Sequence, residues 1–126
     1  PMEFVCYCLY YFTGKDTFAS AAFYALAGGV ALGALAIFFG LLDLLAVSQS
    51  RPSMVIKVLW HGGINSSVLI AYSYFLYKGW MAYPLFAPPA LNIIIIKGIL
   101  IILLLVGNHL GGDLIFKHKI GVNNDT

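Results

Sequence analysis

The chain's chemistry is concentrated in three histidines, His61, His109 and His118. Two of them stand in apolar runs where an ionisable ring is costly and asks for a partner. His109 lies in LLVGNHLGG, beside Gly107, Gly111 and Gly112, and His61 opens a short WHGG run with Gly62 and Gly63. His61 is seven residues past Met54 and ten past Arg51, about 10 Å below one end of its segment at 1.5 Å per residue. His109 is eight residues before Lys117, about 12 Å below the same end. Two imidazoles at matching depth on neighbouring antiparallel helices can act as axial ligands to haem b, with the glycines admitting the porphyrin edge. His61 and His109 are therefore the candidate iron ligands. Gly62, Gly63 and Gly112 are the candidate cradle, and Lys57, Arg51 and Lys117 suit the propionates.

The same residues allow two other readings. The histidines could form a structural polar cluster with Asn65, Asn108 or Asp43, or they could belong to a proton path or metal site. Zinc is disfavoured, because it wants three or four ligands at suitable spacing. His118 falls at the charged boundary and reads as interfacial, with contact to a propionate or a quinone as its functional alternative.

The elements that must position these side chains follow from composition. Of the 126 residues, 61% are hydrophobic and only 10% are charged, against roughly 25% charged in a soluble domain. The chain reads as an integral membrane protein, and its runs are too continuously apolar for alternating barrel strands. The net charge of +2 is too small to imply a nucleic-acid partner. The expectation is a single domain over 1–126, an all-α membrane protein folded as an up-down four-helix transmembrane bundle.

Four helices are predicted: a partial one over about 1–12, then 17–47, 54–77 and 90–115, with a polar tail over 117–126. The first is apolar but shorter than the ~20 residues a span requires. It reads as the second half of a truncated helix, and Pro1 in place of Met suggests that the natural N-terminus precedes it. Cys6 and Cys8, one residue apart, fall on different faces of this helix and read as packing residues rather than a disulfide. There is no CxxCH for covalent haem.

Gly29, Gly33, Ala36 and Gly40 line one face of the second helix, where a backbone or a flat ligand can approach closely. Asp43 continues that face and reads first as a cap or a hydrogen-bonding group. Lys97, seven residues into the last helix, is expected to snorkel back to the interface. Trp80 and Tyr83, in a proline-rich connection over 78–89, suit the headgroup belt.

Up-down order puts the turn at Arg51 and the C-terminal tail on one side. Arg51, Lys57, Lys117 and Lys119 gather there, against Lys15 and Lys78 opposite, with Lys97 reaching toward that second group. The positive-inside rule makes the first side cytoplasmic.

GNHLGGDLIFKHKIGV, residues 107–122, is similar to the closing motif of the bacterial membrane-protein family called domain of unknown function 2231. That motif is a GHLGG run followed by an aromatic residue, a histidine and a GV pair. TGKDTFASAAFYALAGGVALGALAIFFGLLDLL, residues 13–45, resembles the family's second helix with its G-L-x-D ending. WHGG falls where members usually carry a histidine. The resemblance covers nearly the whole chain, with two departures. The HP-x-x-VHFP segment that opens the first helix in members is absent, and Lys119 replaces the usual glycine after the last histidine.

Members occur joined to Rieske or c-type cytochrome domains, so the resemblance implies electron transfer in the bacterial inner membrane. With that implication added, the reading is a multi-pass haem b subunit of a redox complex, ligated by His61 and His109. Its partners would be the lipid bilayer and Rieske or c-type cytochrome components, with quinone as a second cofactor. The rival is a non-catalytic anchor or assembly subunit held by its small-residue stripe. A transporter is disfavoured by the lack of internal repeats, and no nucleophile–base pair suggests hydrolysis.

Overall fold

The fold is that of a computed structural model, which describes residues 1–50 and 52–116. Four helices account for almost all of it: α1 (Met2–Thr13), α2 (Asp16–Ser50), α3 (Val55–Ala82) and α4 (Leu91–Phe116). No strand occurs among the described residues. The first connection is set by Gly14, whose φ of 65° is readily adopted only without a Cβ. Its N–H bonds the Tyr10 carbonyl at 2.8 Å and closes the end of α1. Asp16 then places a carboxylate in the first turn of α2, where the helix dipole favours it. Pro52 opens a single 3-10 turn, Pro52–Met54, between α2 and α3. Pro84, Pro88 and Pro89 keep the segment between α3 and α4 out of helix, and the Tyr83–Pro84 bond is cis.

α3 runs five residues past the predicted end at 77, through Lys78, Gly79 and Trp80. An aromatic cluster explains the extension. Phe23 of α2 is 5.5 Å from the Tyr83 ring, 5.6 Å from Phe86 and 6.4 Å from Trp80, so the last turn of α3 has a surface to pack on. Gly79 faces the same ring, and a Cβ there would stand 3.0 Å from Phe23 Cδ2.

Among the described residues, three helical segments are long and apolar enough to cross a membrane: Asp16–Gln49, Pro52–Ala82 and Leu91–Leu114. Their outer faces carry large exposed apolar side chains, among them Leu32, Phe38, Leu45, Ile70 and Ile102. Such a surface belongs against lipid rather than water. α1 packs on α2, α2 on α3, α3 on α4, and α1 returns to α4.

That last contact carries a charge pair. Lys97 of α4 donates to Glu3 Oε1 of α1, with the two residues 4% and 7% exposed. Its ammonium also lies 3.8 Å from the Tyr7 ring centroid and 5.2 Å from that of Phe75. Lys97 therefore does not snorkel to the interface as expected. A carboxylate comes to it from α1, and aromatic faces supply the rest of its surroundings.

Candidate functional site

The site begins with the fit between α3 and α4. His61 and Asn65 are four residues apart on α3, and Gly107 and Gly111 are four apart on α4, so each pair forms one ridge or one groove. The imidazole fills the notch at Gly111, where a Cβ would stand 2.5 Å from its Cε1. Asn65 fills the notch at Gly107, where a Cβ would meet its Oδ1 at 2.5 Å. The two glycines are thus the reason that α3 can bring polar side chains onto the backbone of α4.

One hydrogen bond decides the chemistry of the ring. His61 Nδ1 is 2.7 Å from the Gly107 carbonyl oxygen. A carbonyl can only accept, so Nδ1 carries a proton, which in the neutral ring leaves the lone pair on Nε2. The Asn65 amide stands 3.2 Å from the same nitrogen. That contact is made by the amide nitrogen, with Oδ1 turned into the Gly107 notch, and it packs the side chain against the ring from one turn away. A metal-binding histidine is typically held in this way, by its second nitrogen on a backbone carbonyl.

His61 lines a cavity of about 1080 Å³ that extends along α2 and α3 toward α1. Gly62, Gly63 and Gly112 line it too, as do Asp43, Asn65 and Asn108. A Cβ at Gly62, Gly63 or Gly112 would meet nothing within 4 Å, so these three leave open space beside the imidazole. Gly29 and Gly40 of the predicted stripe also border the cavity with open space, whereas Gly33 is closed by Leu69.

His109 is placed elsewhere. It is exposed, and it is not part of the cavity wall. Gly107 and Gly111 each lie two residues from it, about 200° of helix rotation, and it is those glycines that face His61. The structure does not bring His61 and His109 together across one space. Lys57 is exposed one turn before His61. Arg51, Lys117 and His118 lie outside the described residues. Cys6 and Cys8 are free thiols of intermediate burial.

The residues around His61 fit a haem group in two respects: an imidazole whose Nδ1 is held on the Gly107 carbonyl, and an apolar cavity with glycines beside that imidazole. They supply one imidazole, not two, among the described residues. No cluster of three or more His, Cys, Asp or Glu side chains forms among those residues.

Glu3 is the residue that the sequence reading passed over. It too lines the cavity, and its Oε2 is buried without a hydrogen-bond partner. The available signal was an acid inside the first apolar segment together with a lysine inside the last, two charges that could cancel only by meeting.

Residues 1–124 match the family described as "Predicted membrane protein (DUF2231)". No curated protein and no solved structure matches the chain.

Proposed function

We propose, for a chain that belongs to the DUF2231 family of membrane proteins, a role as a haem b-binding subunit in one-electron transfer within a larger redox complex. The setting is an up-down four-helix bundle in the bacterial inner membrane. The observation that carries the reading is the locked His61 tautomer at the edge of a glycine-bordered apolar cavity. Haem, when bound, supplies an iron that cycles between two oxidation states. The chain's own part is to hold one axial imidazole. The Gly107 carbonyl keeps Nδ1 protonated, Asn65 limits rotation of the ring, and Gly62, Gly63 and Gly112 leave room beside it.

The test is a reduced-minus-oxidised absorption spectrum of the purified full chain. A b-type spectrum that is lost in His61→Ala supports the reading. A colourless native preparation, or a spectrum unchanged in His61→Ala, removes it.

The assembly-subunit reading is favoured by a separate observation. His109 is exposed on α4 with the apolar side chains of Ile102, Leu105 and Val106 also exposed one and two turns before it. A polar ring on an otherwise apolar outer face suits a protein neighbour better than lipid. The two roles are compatible, and the Rieske or c-type cytochrome components that the resemblance implies would be such neighbours.

A further inference from the structure

We propose that the outer face of α3 is the contact surface between two copies of this chain. Trp60, Gly63, Ser67, Ile70, Tyr74 and Tyr77 follow one another at alternating spacings of three and four residues, and all are exposed. Ile56 and Met81 continue the row at its two ends, so one straight face runs the length of the helix. The spacing is the roughly 3.5-residue period at which one helix seams along another. His61 and Asn65 turn the other way, onto the backbone of α4, whereas α1 packs against α2 and α4. The face therefore stands apart from the imidazole and from the first helix.

In a bilayer, apolar area alone does not bring helices together, because lipid covers it equally well. Close packing and interhelical hydrogen bonds do. This face offers both. Gly63 and Ser67 line a groove of about 480 Å³, together with Ile56, Trp60 and Ile64 of α3 and Leu103 of α4. The Trp60 side chain is 65% exposed, so a knob stands beside a hole. A two-fold contact needs that combination, since each copy gives the other what it receives. Copies inserted the same way share an axis along the membrane normal, which sets α3 parallel to its counterpart with Ser67 level with Ser67. Ser67 lies in the middle of the charge-free run 58–77. Its hydroxyl donates to the Gly63 carbonyl at 2.8 Å, which leaves the oxygen able to accept from the Ser67 hydroxyl of a second copy. On α2, Leu35, Phe38, Leu42 and Leu45 repeat the spacing, but each is large and apolar, a row that lipid satisfies.

The area is sufficient for a dimer. Trp60, Tyr74 and Tyr77 are 60–65% exposed, and Ile56, Ile70 and Met81 are 61–71% exposed. Aromatic side chains exposed to this degree present roughly 100–150 Å² each. The six offer about 600 Å² per copy and a pair about 1,200 Å², where a specific interface needs about 1,000 Å² or more.

The experiment forms disulfides between copies in native membranes, using full chains with one cysteine each and with Cys6 and Cys8 replaced by alanine. Ile56→Cys, Ser67→Cys and Ile70→Cys should each give a covalent dimer on mild oxidation. Phe38→Cys and Leu45→Cys, on the lipid face of α2, should not. Sedimentation equilibrium of the detergent-solubilised native chain should show two copies per particle. Ser67→Trp fills the groove from an exposed position and should weaken association at least roughly tenfold. The cysteine series stands on its own should that variant fail to fold. Equal cross-linking at the α2 positions would mean collision rather than contact. Absence of cross-linking at the α3 positions would leave the face to lipid, and a product of Ser67→Cys with a different protein would give it to another subunit. Each of these results, or a native chain that sediments as a monomer, would overturn the proposal.

Discussion

His61 can serve as a ligand only through a ring nitrogen with a free lone pair, and the Gly107 carbonyl makes that nitrogen Nε2. The ring has no room to shift toward α4, since a Cβ at Gly111 would stand 2.5 Å from Cε1 and 2.9 Å from Nδ1. Gly111→Ala must therefore push the imidazole off its hydrogen bond or push the helices apart. Overpacking of this kind costs about 1–3 kcal/mol, and the same displacement should weaken any b-type spectrum. Gly62→Ala is the control on the adjacent residue, because a Cβ there meets nothing. Its effect should stay within about 0.5 kcal/mol. Thermal unfolding of the detergent-solubilised variants, followed by circular dichroism, separates the two. Equal losses would mean that the Gly111 notch does not position the ring.

Between helices, what could be read from the chain was distance along an axis, and what could not was rotation about it. Helix ends at Gly14, Pro52 and the Pro88–Pro89 pair were legible because each residue acts on its own backbone, whatever packs nearby. That His61 would lie level with the glycines around His109 was legible for the same reason, since rise per residue is nearly constant, and the ring does pack at Gly111. Which face of α4 turns toward α3 depends on how Gly107 and Gly111 accept Asn65 and His61, a contact between residues more than forty positions apart. With α4 apolar on every side, no hydrophobic stripe marked that face. The same limit hid the Glu3–Lys97 pair, which exists only because α1 returns to α4. The extension of α3 was likewise a tertiary effect, and it can be tested. Phe23 is 8% exposed among Trp80, Tyr83 and Phe86, whereas Phe38 on the same helix is 57% exposed. Phe23→Ala should cost about 3–5 kcal/mol and lower the unfolding midpoint. Phe38→Ala, on the face assigned to lipid, should leave that midpoint within measurement error. Similar losses in both would show that the aromatic cluster does not hold the α2–α3 junction.

At the scale of the whole molecule, the buried pair changes the charge count that orients the protein in its membrane. Lys97 is neutralised inside by Glu3 and no longer counts toward the side that carries Lys15 and Lys78. By sequence order alone, the expected comparison becomes Arg51, Lys57, Lys117 and Lys119 against Lys15 and Lys78. Short loops rich in Lys and Arg stay in the cytoplasm, so the turn between α2 and α3 is expected there and the turn at Gly14 on the opposite face. The cavity end at His61 is then expected toward the cytoplasm, and the end at Glu3 nearer the other face. Single cysteines test this in a background with Cys6 and Cys8 replaced by alanine. Ser53→Cys, in the exposed 3-10 turn, should react with a membrane-impermeant maleimide only in inverted vesicles. Lys15→Cys, in the α1–α2 connection, should react only from the outside of intact cells. The reverse pattern would overturn the orientation, and labelling of both positions from one side would overturn the assignment of α2 as a membrane-spanning helix.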